Sequence, residues 1–488
     1  MPEINKSYLD SKLDIISKQT SQKQTEVKKY LYFEGNVKPI LEEAILKEFK
    51  KKESIQGLFA RILPLNILRR IIEKLANVYI EAPVRLASDG NEADQELIRL
   101  YEQSMNLNVR MREHDQHWEL FKKTLGEPYV DAQGFPRYRV VPAQSYYAFS
   151  DDIVSPETPD SIWKIISTDI DTTKNIYSVW TNERFLLIDG HGKVRSDMLN
   201  SIGNPDGINP YGVIPFVYIT ESSNSTEPIP EDDLLYCSIA LPLLITDLSF
   251  ASKYMAYSLL WTLNCNADIP AGPGAVMHLT AGKDDLKPEV NQIKPNVDIG
   301  STLSLIESIV SYLLSSKGLQ TDTVQGKMTV ENVASGIAKA IDNSELVTQT
   351  KNKQTNFANF ERDLWENRLA KHMIPAWRRS GKLNPKYNLE FSPTFELSIF
   401  YKEPRVTMSE KEKIEVSKAK LDAGFSTLNR ELKSLYPEYS EDQIADLEQE
   451  IRAEKQSSVV NQMETLMGGS NGMQREDETK DEEANKEE

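Results

Sequence analysis

Three pairs of adjacent aspartates, Asp151-Asp152, Asp232-Asp233 and Asp284-Asp285, carry the donor type that a divalent metal needs. Paired carboxylates holding metal ions can cleave phosphodiesters. Each pair falls at a turn or a helix start, where Asp also caps backbone N–H groups, and capping is the reading adopted. His114 and His117 could share one helix face with Glu113 as metal ligands. No third ligand stands nearby in the sequence and the neighbours are charged or amides, so a solvated helix face is expected. Gly192-Lys193, Gly282-Lys283, Gly326-Lys327 and Gly381-Lys382 lack the following Ser or Thr of a nucleotide-binding P-loop. Gly468-Gly469-Ser470-Asn471-Gly472 matches G-x-S-x-G, but no strand leads into it to form a nucleophile elbow. Gly272-Pro273-Gly274 reads as a turn before it reads as a phosphate cradle. The expectation is a chain that is not an enzyme, with no catalytic residue, no metal site and no cofactor.

One polar segment carries a different kind of chemistry. Residues 318–328 hold Gln320, Thr321, Asp322, Thr323, Gln325 and Lys327 between Gly318 and Gly326. Glycine at both ends gives such a loop freedom to move. Lys327 is its only basic residue. A lysine there is usually a solvated surface group; the functional reading points it at a polyanion, in a weak contact that salt screens.

The elements around this loop organise the chain. Before it, Leu303, Ile306, Ile309, Val310 and Leu313 recur three or four apart, which is one apolar helix face. After it, a long helix is expected from near Thr329, a candidate N-cap, to about Arg379, with Pro375 able to kink or end it. Its middle, 343–356, is polar, which suits a helix crossing between layers or lining a wet channel. Further upstream, Pro230 followed by Glu231, Asp232 and Asp233 marks a helix start. Leu244, Leu248, Ala251, Met255 and Leu259 then form a narrow apolar seam suited to helix-on-helix packing. Pro242 should kink or restart that helix. Residues 264–298 form a region of short elements between the two.

The first part of the chain reads as helices at 36–52, 64–79 and 92–124, behind a charged, loosely docked arm at 1–35. From 129 to 220 the pattern turns to short strands: 138–141, 162–166, 176–180 and 185–188, rich in β-branched and aromatic residues. Asn209-Pro210-Tyr211-Gly212-Val213-Ile214-Pro215-Phe216-Val217 is a turn feeding a last strand. Leu389, Phe391, Phe395, Leu397, Ile399 and Tyr401 alternate as another strand that could rejoin that sheet. Residues 409–454 read as helical with a break at Gly424. Residues 471–488 hold an excess of acids and are expected to be disordered. The fold class is α+β, mainly helical with a β-rich insertion.

Composition sets the bounds. The chain has 488 residues, 39% of them hydrophobic, and 57 Lys and Arg against 74 Asp and Glu give a net charge of −17. That balance argues against a protein that coats itself in nucleic acid. It permits one past which nucleic acid slides. Cys237 and Cys265 are too few to staple a chain of this size, which favours a reducing compartment. Residues 1–21 are polar, so no secretory signal is expected. The apolar run from Ile239 to Ile245 is short of the ~20 residues of a membrane span, so no membrane partner is expected.

The order of these pieces resembles the portal proteins of tailed bacteriophages, the broad family of siphophages of Gram-positive hosts. The likeness rests on helices, then a β-rich insertion ending in Asn209–Phe216, a seam helix, a Pro/Gly-rich segment, and helix, polar loop, long helix. Lys420-Leu421-Asp422-Ala423-Gly424-Phe425-Ser426-Thr427, Leu435-Tyr436-Pro437 and the Glu-rich helix at 441–454 add a likeness to that family's crown. It covers about residues 36–456 and rests on order and spacing. The resemblance implies a homo-oligomeric ring of about twelve subunits at one capsid vertex, a closed cyclic assembly. Its parts would be a wing (36–229 with 380–404), a stem (230–263 and 299–317), a clip (264–298), a tunnel loop (318–328) with its helix (329–379) and a crown (405–456). Double-stranded DNA would pass through without sequence specificity, with Gln320, Thr321, Asp322, Thr323, Gln325 and Lys327 facing it and Leu244, Leu248, Ala251, Met255 and Leu259 at the subunit interface. The implied partners are a terminase, the major capsid or scaffold protein and a head–tail adaptor. The implied place is the virion, with host cytoplasm during assembly. A minor head or connector protein of the virion, and a metal-dependent nuclease using the aspartate pairs, are the alternatives.

Overall fold

The computed structural model describes residues 4–48, 59–88, 90–167, 175–229, 231–256, 259–263, 265–266, 280–281, 289–293, 298–319, 344–401, 414, 417–421, 424, 426–435 and 444–451. The chain is a mixed α+β protein, 55% helical, with small antiparallel sheets. It divides into two units, Met1–Val333 with Ala340–Pro404, and Ala334–Lys339 with Arg405–Glu488.

The larger unit begins with α1 (Lys6–Lys18) and α2 (Thr20–Phe33), so the expected loose arm is a docked pair of helices. Leu9 and Ile16 of α1 pack into a core with Tyr147, Trp163, Tyr177 and Ile188. That core lines a four-stranded antiparallel sheet of β4 (Tyr146–Phe149), β5 (Ser161–Ser167), β6 (Ile176–Trp180) and β7 (Phe185–Asp189), paired in chain order. Sequence pattern missed the docking because α2 buries charge: Lys23, Glu26 and Lys29, three residues apart, all face inward.

Next come α3 (Val37–Glu48) and α4 (Ile67–Leu75), the latter narrower than its expected span; the expected end of the former, 49–52, lies outside the described residues. Leu41, Leu68 and Ile72 of these helices join Tyr32 and Phe33 in a second core. β1 (Val84–Ala87) leads to α5 (Glu92–Met105) and α6 (Leu107–Phe121). The single helix expected at 92–124 breaks at Asn106, which sits in the left-handed region at φ 50°. Asn tolerates that conformation because its short polar side chain bonds locally.

β2 (Lys123–Val130) is the central strand of a three-stranded sheet, between β3 (Pro136–Val141) and β8 (Val217–Thr220). Its Gly126 and Pro128 hide it from pattern reading. Pro128 is tolerated because β8 pairs only with Lys123–Gly126, leaving one side of Pro128 free of a ladder partner. Gly126 is required because a Cβ there would overlap the Tyr138 hydroxyl.

α8 runs Asp233–Ala256 after the short α7 (Ser196–Ser201). Pro242 lies inside α8, so of the two expected outcomes, a kink or a restart, the restart does not occur. Leu259 is not on this helix but opens β9 (Leu259–Leu263), which pairs with β12 (Glu289–Ile293). Two further short strands, β10 (Cys265–Asn266) and β11 (Thr280–Ala281), pair with each other.

α9 (Ile299–Ser316) is capped by Asp298, whose carboxylate accepts from Ser301 N at 3.1 Å. α10 (Ser344–Arg362) continues through a π segment, Asp363–Met373, to Arg379; the expected helix start near Thr329 lies outside the described residues. Pro375 lies in the last stretch of this helix, directly after the π segment, and does not end it. The polar stretch before Phe357 is split: Lys351, Asn352, Thr355 and Asn356 are exposed, while Thr350 is fully buried. β13 (Leu397–Phe400) pairs with β1 and does not rejoin the four-stranded sheet. A third core gathers Tyr101, Met111 and Trp118 with Phe357, Leu364, Trp365 and Trp377 of the long helix.

In the smaller unit, α11 (Leu428–Leu435) buries Leu432, and Asn429 donates to Glu448 at 3.1 Å.

Candidate functional site

The feature with the clearest call on a partner is the helix pair α8 and α9. The start of α8 and the end of α9 are joined by Lys317, which pairs with Glu231 at 3.0 Å and Asp233 at 3.1 Å. The helices are therefore antiparallel neighbours, and they pack on one another. Burial works to lower the Lys317 ammonium, but its hydrogen bonds to the two carboxylates outweigh it and hold it above its ordinary range. Burial works to raise Asp233; the Lys317 bond prevails and holds the carboxyl below its usual value. From α2, Lys29 pairs with Asp232 at 2.7 Å and donates to the Glu231 carbonyl at 2.6 Å.

Leu234 and Leu235 hold α8 in the core shared with α3 and α4, and Leu241 is fully buried. Other positions on α8 are less covered: Tyr236 is 63% exposed and Leu244, Leu248 and Ala251 are half-buried. On α9, Ile306, Leu313 and Leu314 are buried, but Leu303, Leu305 and Tyr312 are 48%, 53% and 79% exposed. Both helices are long and apolar enough to cross a membrane by length and composition; 33% of one window and 11% of the other is buried. The apolar run 239–245 understated this, because Ser238, Thr246 and Pro242 interrupt α8 without making it polar. Burying one such Leu or Tyr side chain contributes about 1.5–3 kcal/mol. A partner that covers this surface gains several such terms.

Of the expected interface residues, Leu244, Leu248 and Ala251 lie on α8 as the seam required; the Met255 side chain lies outside the described residues, and Leu259 belongs to a strand. The expected loop residues Gln320, Thr321, Asp322, Thr323, Gln325 and Lys327, with Gly326, also lie outside the described residues. Gly318 is described and is no hinge. At φ 67° it terminates α9: its N–H donates to the Ser315 carbonyl at 3.1 Å and Leu319 N–H to the Leu314 carbonyl at 2.9 Å. Leu319 is buried beside them, completing a closed helix end. The chain thus leaves α9 from a fixed point.

The metal-type candidates are otherwise engaged. Asp151 pairs with Lys12 at 2.6 Å, and Asp152 accepts from Val154 N at 2.8 Å in a turn. Asp232 and Asp233 serve the clamp above; Asp284 and Asp285 lie outside the described residues, as do Gly272–Gly274 and Gly468–Gly472. No group of three metal-type ligands occurs among the described residues. His114 is not on a solvated face, contrary to expectation. It is fully buried, with Nδ1 2.6 Å from Thr124 Oγ1 and Nε2 2.8 Å from the Tyr138 hydroxyl. Burial pushes its pKa well down, and that of His117 to about 4. Of the charged neighbours that suggested a wet face, Asp115 is itself fully enclosed, and burial raises its pKa to about 6 against the pull of Lys353.

Sequence reading missed the ionic fasteners that hold the long helix. Arg85 of β1 is fully buried and grips Glu361 of α10, Nη2 to Oε1 at 3.0 Å. Its Nη1 reaches Glu102 at 3.0 Å and Asn108 at 2.6 Å, and Tyr79 donates to Glu361 at 2.7 Å. Burial works to lower Arg85, yet Glu361 holds it above its ordinary range. One turn-pair earlier, Lys353 donates to the Leu75 carbonyl at 2.6 Å and to Glu119 at 2.7 Å. A second cluster seats α2: Lys23 donates to Glu26 at 2.8 Å and to the carbonyls of Ala143 and Tyr146 at 2.7 Å each. Glu26 also meets Lys123 at 2.8 Å, and Lys123 pairs with Glu227. The only available signal was an arginine inside a strand otherwise made of Val, Leu and Ala.

A scan against protein-family models finds no match to this chain, and a search of the curated proteins finds none either.

Proposed function

We propose that this chain is a portal-type ring subunit: copies associate through the α8–α9 pair into a closed channel at a capsid vertex, through which double-stranded DNA passes. The observation that carries this reading is α9, an apolar helix with 11% of its window buried and Leu303, Leu305 and Tyr312 exposed. A large apolar surface on one subunit calls for a covering partner. A head-to-tail contact between copies covers it and closes into a ring when the rotation permits. The order of elements, helices, β-rich insertion, seam helix, short strands, helix, long helix, supports the same reading. In it, the segment 318–328 faces the duplex, and the terminase, capsid protein and adaptor dock outside. The chain acts as a conduit and not as an enzyme.

A membrane-inserted hairpin is the second reading, because both helices meet the length and composition of a span. Against it, Leu234 and Leu235 already sit in a protein core, Leu241 is fully buried, and Asp233, Glu231 and Lys317 hold an ionic clamp at one end. Negative-stain microscopy of the purified protein, with flotation on phosphatidylglycerol vesicles in parallel, decides between them. Rings with a central hole and no flotation support the proposal. Flotation without rings replaces it with the membrane reading.

A further inference from the structure

In an acidic chain, one segment is free of acid. Between Glu366 and Glu390 no Asp or Glu occurs, while Arg368, Lys371, Arg378, Arg379, Lys382 and Lys386 bring six cations. The structure gathers the last of these at one tip, where the long helix ends. Gly381 and Lys382 N–H close the helix on the carbonyls of Arg378 and Trp377, at 2.9 and 3.1 Å. A second turn follows: Pro385–Tyr387 is a short 3-10 helix capped by Asn384.

The tip is held rigidly. Asn384 N–H donates to the Gly134 carbonyl at 3.0 Å, locking it to the β2–β3 turn. Gly134 sits at φ 86°, and a Cβ there would meet Asn384 N at 2.7 Å and Lys382 O at 2.9 Å, so only glycine allows so close a backbone approach. Between the two turns lies an open trough of about 610 Å³, lined by 130–134 and 381–385.

The local acids are spent. The Asp131 carboxylate accepts from Gln133 N, Phe135 N and Arg137 Nε, each at 2.9 Å, and Glu390 pairs with Arg378. Among the described residues, Arg379, Lys382 and Lys386 are exposed and have no carboxylate partner. Cations in the last helical turn complement the helix dipole, which accounts for Arg378 and Arg379. It does not account for Lys382 and Lys386, which stand beyond the helix.

We propose that this double-turn tip is a binding surface for the phosphate backbone of nucleic acid, reading charge and spacing without sequence. Lys382 lines the open trough and Arg379 and Lys386 stand three and four residues to either side of it in the chain, so the tip offers exposed positive charge to phosphates, and the surrounding negative charge keeps the affinity low and strongly salt-dependent. The assignment stands on the tip itself and does not require the ring.

The test uses the full chain and a fluorescein-labelled duplex, followed by anisotropy from about 50 to about 200 mM salt. Three phosphate contacts give a slope of log K against log salt near about −2.7, from ~0.9 per contact. R379E/K382E/K386E should lose at least about tenfold in affinity at the low-salt end and most of that slope. R379Q/K382Q/K386Q, a milder change at exposed positions, should fall between. No binding at low salt, unchanged binding in both triple variants, or equal competition by polyglutamate would each overturn the assignment; the last would make the surface one for acidic protein.

Discussion

The Tyr32 hydroxyl donates to the Ser238 carbonyl at 2.5 Å, and Ser238 stands four residues before Pro242. In an unbroken α-helix that carbonyl would accept from residue 242, which as proline has no N–H. Tyr32 supplies the missing donor from a different helix. α8 therefore passes through Pro242 because α2 is docked against it.

Tyr32→Phe should destabilise the larger unit by about 1–3 kcal/mol, since it leaves a buried carbonyl unpaired. The same change in a Pro242→Ala background should cost less, because alanine restores the helical N–H. Denaturant unfolding of the four proteins measures the coupling; equal cost of Tyr32→Phe in both backgrounds would dismiss the relationship.

Glu361→Ala should cost about 3–5 kcal/mol, as it removes the carboxylate that takes two of buried Arg85's hydrogen bonds and leaves Glu102 as its one acidic partner. Glu361→Gln, which keeps size and one acceptor, should cost less. Chemical denaturation orders the two variants, and indistinguishable midpoints would show that the pair does not fasten α10.

Acid should loosen the fold through its histidines. His117 titrates near 4 when folded against about 6.5 unfolded, so between those values the unfolded chain binds the extra proton and stability falls as pH falls. Asp115 acts oppositely, since its raised value near 6 lets the folded state bind the proton first. His117→Phe should flatten the dependence by about 1.4 kcal/mol per pH unit within the window. Thermal melts from pH 4 to 7 read this directly; an unchanged slope would mean that His117 is wet in solution.

Much of the fold was legible because apolar spacing marks strands and helices directly. Ile162, Val179 and Leu187 gave three strands of the four-stranded sheet, though not its edge strand Tyr146–Phe149, and Ile306 with Leu313 gave the inner side of α9. Much of what failed involves polar residues that are buried by pairing. Lys23, Glu26 and Lys29 made α2 read as a free arm, and His114 and Asp115 made the inner side of α6 read as wet. Gly126 and Pro128 hid β2, where a side-chain hydroxyl and the end of β8 make room for them. At the helix pair, the seam residues Leu244 and Leu248 were visible from spacing, while the exposure of Tyr312 needed the three-dimensional arrangement.

That exposure yields the prediction for assembly. Leu248→Asp with Leu303→Asp should leave the subunit folded, as both positions are half-buried or exposed, and should remove association. Circular dichroism alongside sedimentation checks it: loss of folding would place the two leucines in the subunit's own core.

The most direct test of the central claim is the mass in solution of the full chain across a wide concentration range. The proposal predicts a discrete closed species of many subunits, reduced to the monomer by Leu303→Asp with Tyr312→Asp. A wild-type protein that stays monomeric at the highest concentration, or a double variant that still forms the same closed species, would contradict it.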